Sequence, residues 1–387
     1  MYEPSTAAVP GLGFSAAFQE REAEVISVAG VRTPEELLTV LWAFPTLARF
    51  GIDFPKLSNA AMSSAANSPL LAAARHGGYI GAPPPHFGQG AMYPSGAAAP
   101  PGFAIPFATA SATPPGGPGT GAMQPAMSPP PPAGPPPAGS TALDFRLPGW
   151  PVRDQGSRGT CVSFATTACY EHFTNNSALD LSEQFLYWAI KTVVGDPWPS
   201  QDGTLIDYAR RALITEGICS ENHWPYAPSV VPGNIGHGSA SDPSALAQQD
   251  AASRVYGGGL YQSSGGAAAV LAALQTRSRP VAISVPVFRD SLQPQNDNWN
   301  TAFGQLYGRI FDPPPTAIVH GGHAVCVTGY RPDTSEPLGG WFIIRNSWGG
   351  HLWGNSLPNA AYLGPEPGYG QISASYVDKY LWELFSM

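Results

Sequence analysis

Apolar residues recur at helical spacing in two separated parts of the chain and give way to strand-like runs toward its end. Near the start, Leu37, Leu38, Leu41 and Trp42 share one face of a helix. Thr33 fits the N-cap of that helix, Pro34 its first position, and Glu36 closes a capping box. Pro45 breaks the pattern, and a second short helix toward Phe50 stops at Gly51. Much later, Val162, Ala165, Cys169 and Phe173 lie near one face and predict a helix over Cys161–Phe173. Leu181–Val194 and Thr204–Glu216 also read as helices, the latter stopped by Gly217, and Ala267–Leu274 is a further short one. Strand-like runs follow at Pro280–Phe288, Ala324–Gly329 and Trp341–Arg345. Helices first and strands afterward predict an α+β domain. Two stretches rich in Pro, Gly, Asn and Ser, Ala227–Tyr256 and Asp290–Val319, read as long loops that rim a groove.

Composition divides the chain into three. Residues 76–142 contain no Asp, Glu, Lys or Arg and end in SPPPPAGPPPAGS, a sequence that favours polyproline II. Such a segment buries too little apolar surface to offset the entropy of ordering, so it reads as a linker. The expected organisation is a small helical module at 1–75, this linker at 76–142, and a folded domain at 143–387. The module offers a surface for a protein partner and carries no recognisable inhibitory motif.

A net charge of −8 with only 12% charged residues supplies no basic face for phosphate, which argues against nucleic acid as the partner. No run of about twenty apolar residues predicts a membrane span. The first residues have neither a basic stretch nor an unbroken apolar one, so the expected location is cytoplasmic, with export by a route lacking a cleaved signal left open. Cys161, Cys169, Cys219 and Cys326 do not form a disulfide framework, and Cys169 and Cys326, set in apolar runs, read as small core residues.

Chemistry concentrates in four positions: Gln155 and Cys161 in VRDQGSRGTCVSF, His323 in GGHAVCVTGY, and Asn346 in WFIIRNSWGG. A cysteine nucleophile needs a base, the base needs a group that fixes its ring, and the oxyanion formed on attack needs donors. Cys161, His323, Asn346 and Gln155 supply those roles in that order. Cys161 begins a predicted helix, where free N–H groups and partial positive charge favour thiolate. The chemistry needs no cofactor, and His320 with His323 lacks a third ligand of obvious spacing, so no metal is expected.

The order Gln, Cys, His, Asn resembles the papain-like cysteine peptidases. So do LSEQ at Leu181–Gln184, the WPY of Trp224–Tyr226, and NSWG followed by Trp353-Gly354. The resemblance covers 143–387 and implies a helical lobe and a β-rich lobe meeting at a cleft. Cys161 would sit on the helical side, and His323 and Asn346 on the β side. It further implies that Gly203 holds an extended substrate strand through its backbone and that Trp348 shields the His323–Asn346 pair beside the substrate. Two departures stand out. Arg158 replaces the first cysteine of the family's C-G-[SA]-C-[WY] signature, so the usual disulfide cannot form there, and Val162 replaces an aromatic. His323 and Asn346 also lie about 160 and 185 residues after Cys161, beyond the usual spacing of about 130–150, so insertions are implied. Arg158 has three readings: it lowers the thiol pKa, binds a substrate carboxylate, or faces solvent. Glu183 reads as structural. The expected function is hydrolysis of peptide bonds in a protein or peptide substrate through a thioester. The alternatives are a catalytically silent papain-fold binding module and a thiol acyltransferase.

Overall fold

A computed structural model of the chain describes residues 140–176, 178–197, 202–228, 242–289, 298–299, 308–310, 313, 317–333, 338–354 and 367–387. The predicted module at 1–75 and nearly all of the linker at 76–142 lie outside them. Helix α1 spans Cys161–Phe173, the limits its apolar pattern predicts, and every residue from Cys161 to His172 is buried. A helix buried on all sides belongs at the centre of a domain. Helix α2, Glu183–Trp188, starts at Ser182, whose hydroxyl accepts from the Phe185 N–H at 3.0 Å. It widens into a π-helical turn over Ala189–Val193, so the single predicted helix over Leu181–Val194 is two helical types end to end. Helix α3 spans Ile206–Thr215. Its chain leaves through Gly217 at φ +74, where a Cβ would fall 2.1 Å from the Ala251 carbonyl oxygen.

Ala251 belongs to helix α4, Ala245–Ala252, which lies inside the stretch predicted to be loop. The expectation of an unstructured Ala227–Tyr256 is corrected there. Only Ala247 and Ala251 of ALAQQDAA are buried, so the apolar stripe is too faint to register, while Ser244 caps the helix by accepting from the Ala247 N–H at 3.2 Å. Helix α5, Gly266–Arg277, outruns the predicted Ala267–Leu274 at both ends.

The strands are β1 (Leu143–Asp144), β2 (Leu260–Gln262), β3 (Val281–Arg289), β4 (Arg309–Ile310), β5 (Ile318–Pro332), β6 (Gly340–Arg345), β7 (Tyr369–Ser373) and β8 (Glu383–Ser386). Among the described residues they form one sheet in the order β2-β8-β3-β5-β6-β7-β4, with β1 added on β5. The β4–β7 pair is parallel, and the other strand pairs are antiparallel. Helix α6, Ala374–Tyr380, links β7 to β8.

Side chains of a strand alternate between faces, and β3 and β5 use this to serve two cores. Ala282, Ala324 and Cys326 point into a cluster with Cys161, Val162, Ala165 and Cys169 of α1 and with residues of α2, α3 and α4. Ile283, Val285, Val325 and Val327 point into a second cluster with α5, α6, Trp299 and Trp348. The small residues on the first face let α1 approach the sheet closely. A buried carboxylate ties the helices to the sheet: Glu383 of β8 accepts from the free N–H groups of Ile206 and Asp207 at the start of α3, at 3.0 and 3.2 Å. The same carboxylate accepts from Tyr261 at 2.9 Å and Ser284 at 3.2 Å. The result is the expected α+β architecture with a helical lobe and a β-rich lobe. No described helix is long and apolar enough to cross a membrane.

Candidate active site

Cys161 is the first residue of α1. The N-cap residue Thr160 makes no side-chain capping bond, and no acidic residue occupies the first turn, so nothing on the helix offsets the partial positive charge at the thiol. The Thr160 hydroxyl pairs instead with the Tyr226 phenol at 2.7 Å. Because α1 packs on the small face of β5, the Cys161 sulfur accepts a hydrogen bond from the Ala324 N–H at 3.3 Å.

His323 precedes Ala324, so its side chain leaves the strand on the opposite face. Its Nε2 lies 2.8 Å from Oδ1 of Asn346, the residue that follows β6. A carbonyl oxygen only accepts, so Nε2 carries the proton and donates, which leaves Nδ1 as the acceptor of the neutral ring. Nδ1 is buried without a hydrogen-bond partner. Thiol and imidazole thus meet at adjacent residues of one strand, without a direct bond between Sγ and Nδ1. The Ser347 N–H donates to the same Asn346 oxygen at 2.9 Å and fixes the amide. Trp348 lies 4.6 Å from the imidazole, inclined at 30°, and Trp299 meets it edge-on at 5.0 Å. Burial pushes the His323 pKa down to about 4, with the Asn346 bond acting in the opposite sense. The imidazolium is therefore stable here only beside an anion, which a thiolate would supply.

Gln155 lies in the loop before α1 and is fully buried. Its N–H donates to the Ser347 carbonyl at 2.8 Å, and its side-chain Oε1 accepts from the Ser347 hydroxyl at 2.6 Å. Nε2 donates to the Arg158 carbonyl at 2.7 Å. A hydroxyl on one side and a carbonyl on the other set the amide orientation, with the donor-bearing Nε2 toward the loop before Cys161. The Tyr226 phenol donates to the Gln155 carbonyl at 2.9 Å, so Thr160 is the donor in its own contact with that phenol.

The remaining sequence candidates fall differently. The solvent-facing reading of Arg158 is corrected: the residue is 3% exposed, and Nη1 donates to Gln184 Oε1 at 2.6 Å and to the Ala227 carbonyl at 2.8 Å. Its guanidinium also faces the rings of Tyr226 and Tyr187 at 4.9 and 5.5 Å. Gly203 has its backbone groups engaged within the protein. Its N–H points to the Gly159 carbonyl at 3.1 Å and the Tyr187 phenol at 3.2 Å, and its carbonyl accepts from the buried Lys191 ammonium. With the N–H so engaged, any hold on an extended substrate would rest on the second lone pair of the Gly203 carbonyl. Trp348 is fully buried, with its ring 4.6 Å from that of His323. Glu183 is buried in α2, and burial, followed by the charges of Glu171 and Glu221, pushes its carboxyl well above the usual range. The His320 side chain is outside the described residues, among which no group of three or more His, Cys, Asp and Glu is arranged to hold a metal.

Sequence reasoning missed three contributors. Ser347 holds both Gln155 and Asn346, Tyr226 ties the two ends of the loop before α1, and Asp202 accepts from the Gly159 N–H at 3.1 Å. Ser347 and Tyr226 sit inside the NSWG and WPY motifs, so their signal was present without its meaning.

A thiol at the head of a central helix thus lies against the strand that carries an imidazole held by an asparagine, within a two-lobe α+β architecture. The family model described as papain family cysteine protease matches residues 140–357, more than half of the chain, and the chain belongs to that family. A cathepsin L-like proteinase of Fasciola hepatica is 26% identical over 219 residues, 55% of this chain and 57% of the relative, so the match spans little over half of that relative's length. Among solved structures, xylellain, a cysteine protease from Xylella fastidiosa, is similar at 23% identity and a TM-score of 0.48, covering 64% of this chain and 85% of that one. The bromelain protease from Ananas comosus, solved with the E64 inhibitor, is similar at 20% identity and a TM-score of 0.41, covering 63% and 97%.

Proposed function

We propose that this chain is a cysteine peptidase that hydrolyses peptide bonds through a thioester acyl-enzyme. The observation that carries the reading is the 2.8 Å contact between His323 Nε2 and Asn346 Oδ1, which turns Nδ1 free while the Cys161 sulfur meets the neighbouring residue of the same strand. In this reading the Cys161 thiol gives its proton to Nδ1 of His323, and the thiolate attacks the scissile carbonyl. The oxyanion takes donors from Gln155 Nε2 and the Cys161 N–H. The His323 imidazolium protonates the leaving amine, and the thioester forms. Water then attacks the thioester, His323 removes its proton, and the acid product leaves with the thiol restored. Asn346 keeps the imidazole in the productive tautomer throughout.

The test is active-site labelling with a thiol-directed epoxide together with turnover of a mixed peptide library. The reading expects one label on Cys161 and cleaved peptides, and both lost in Cys161→Ala and His323→Ala proteins whose circular dichroism is unchanged. Turnover near wild type in Cys161→Ala would overturn it. Residues 1–75 are assigned to recruitment of a protein partner rather than to inhibition of the cleft, and residues 76–142 to a tether; composition is what supports this part of the reading.

A further inference from the structure

Cys169 and Cys326 take no part in the mechanism above, yet their sulfurs lie 3.6 Å apart across 157 residues of chain. Both are free thiols, at 2% and 0% exposure. Their positions link the two halves of the site. Cys169 lies about two turns along α1 from Cys161, and Cys326 stands three residues after His323 on β5, on the face that packs against α1. A disulfide needs its sulfurs at about 2.05 Å, roughly 1.5 Å closer than they stand, in a seam already brought together by packing.

We propose that Cys169 and Cys326 form a site of disulfide modification, at which a low-molecular-weight disulfide oxidises the pair and staples the helix carrying Cys161 to the strand carrying His323. The chemistry balances as two exchanges. The thiolate of one cysteine attacks a sulfur of oxidised glutathione and expels one glutathione thiolate, leaving a mixed disulfide. The thiolate of the second cysteine attacks the protein sulfur of that mixed disulfide and expels the other glutathione. Two protein thiols lose two electrons and two protons, and one glutathione disulfide becomes two glutathione thiols. In the closed seam the reaction is slow, because burial, reinforced by Cys326, pushes the Cys169 thiol well above its ordinary range. The staple therefore forms while the seam is open, during folding or on transient separation of α1 from β5. Once formed, it resists reduction for the same reason.

The experiment uses the full chain carrying Cys161→Ala, so that neither the reactive thiol nor the peptidase activity enters the readout. The protein is unfolded, refolded in a glutathione redox buffer or in dithiothreitol, denatured, alkylated and weighed. The expected result is a single adduct, on Cys219, after the glutathione buffer and three adducts after dithiothreitol, with a peptide pair joining Cys169 to Cys326. The oxidised protein should melt on the order of 10 °C higher than the reduced one, and Cys326→Ala should remove both the bridge and the shift. Where refolding yields are poor, the same adduct count on protein produced in an oxidising compartment decides the matter. Three adducts under every condition, or a bridge that includes Cys219, would overturn the proposal without touching the peptidase reading.

Discussion

The guanidinium of Arg158 sits 4.9 Å from the centre of the Tyr226 ring, inside the loop that leads to Cys161. Where the family signature has a cysteine, this chain has a cation held by an aromatic face, Gln184 and a backbone carbonyl. The Tyr226 phenol holds the loop from the same side, through the Gln155 carbonyl at one end and the Thr160 hydroxyl at the other. Polar and aromatic contacts thus hold a segment for which no covalent tie exists.

Tyr226→Phe keeps the ring and removes both hydrogen bonds. It should cost about 1–3 kcal/mol in urea unfolding and lower kcat more than it raises KM, because the loop that carries Gln155 loosens. Arg158→Ala should cost more, about 2–4 kcal/mol, since it deletes a buried charge-assisted bond to Gln184 as well as emptying the space. The two residues touch, so a double-mutant cycle should show a coupling of at least about 0.5 kcal/mol. Additive losses would mean that each acts alone.

Asn346→Ala should lower kcat by roughly ten- to a thousandfold, with the wide range reflecting the unequal contributions of triad members. The Asn346 bond favours the charged form of His323, against the effect of burial. Its loss should therefore move the alkaline limb of kcat/KM to lower pH. A fall in rate with an unshifted profile would leave Asn346 a merely structural role.

How much of this was legible beforehand depended on whether a signal was local. Helix α1 ran to its predicted limits because Val162, Ala165, Cys169 and Phe173 mark it unaided, and the four site positions stood in compact motifs. Arg158 could not be read as buried, because Gln184, Ala227 and Tyr226 converge on it from 26 to about 70 residues away. Trp299 lay in a Pro- and Asn-rich stretch with no periodicity, yet its ring packs against His323. Helix α4 has alanines where an apolar stripe would show, and the π turn after α2 has no sequence pattern distinct from an α-helix. Gly203 reads as a substrate-binding glycine in the sequence, and only the positions of Lys191 and Tyr187 reveal that its backbone already makes bonds within the protein.

The buried imidazole makes a pH prediction. His323 titrates at about 4 when folded, against 6.5 ordinarily, so the unfolded chain binds more protons between those values. Its contribution to stability is complete above about pH 6.5 and is lost as pH falls toward 4, on the order of 3 kcal/mol in all. The comparison belongs in a Cys161→Ala background, where no thiolate offsets the charge. Between pH 4 and 6.5, Cys161→Ala should lose stability on acidification faster than Cys161→Ala/His323→Gln. Glu221, raised to about 7 chiefly by burial, acts oppositely: its contribution is present below about 4.5 and lost as pH rises through 7. It is common to both proteins, so it cancels from the difference. Parallel pH profiles of the urea midpoint would show that His323 is more solvated than its burial implies.

Ser347 makes a narrower claim testable. Its hydroxyl lies 2.6 Å from Gln155 Oε1, which points the amide nitrogen toward the loop before Cys161. Gln155→Ala removes the proposed oxyanion donor and should lower kcat by about 10²–10³. Ser347→Ala leaves that donor in place but frees its orientation, so a smaller fall, about tenfold, is expected with KM little changed. Ser347→Ala in a Gln155→Ala background should then cost almost nothing further. A full additional loss there would mean that the hydroxyl acts other than through Gln155, because Ser347→Ala keeps the backbone N–H that the Asn346 oxygen accepts.

The uncharged stretch between Arg75 and Leu143 bears on regulation. From composition alone, a chain of that length spans about 45 Å root-mean-square, and its Pro-rich end extends it further. Such a tether gives only a modest effective concentration between the parts it joins. An inhibitory segment that must occupy the cleft continuously is better served by a short connection, so residues 1–75 are expected to leave the peptidase rate unaffected. A fragment beginning near Leu143 retains both hydrophobic clusters and the whole sheet. Its rate on a fluorogenic peptide, measured beside the full chain, should be equal within about twofold. A large rise on truncation, reversed by adding residues 1–75 back in trans, would make the N-terminal part an inhibitor and overturn the assignment to recruitment.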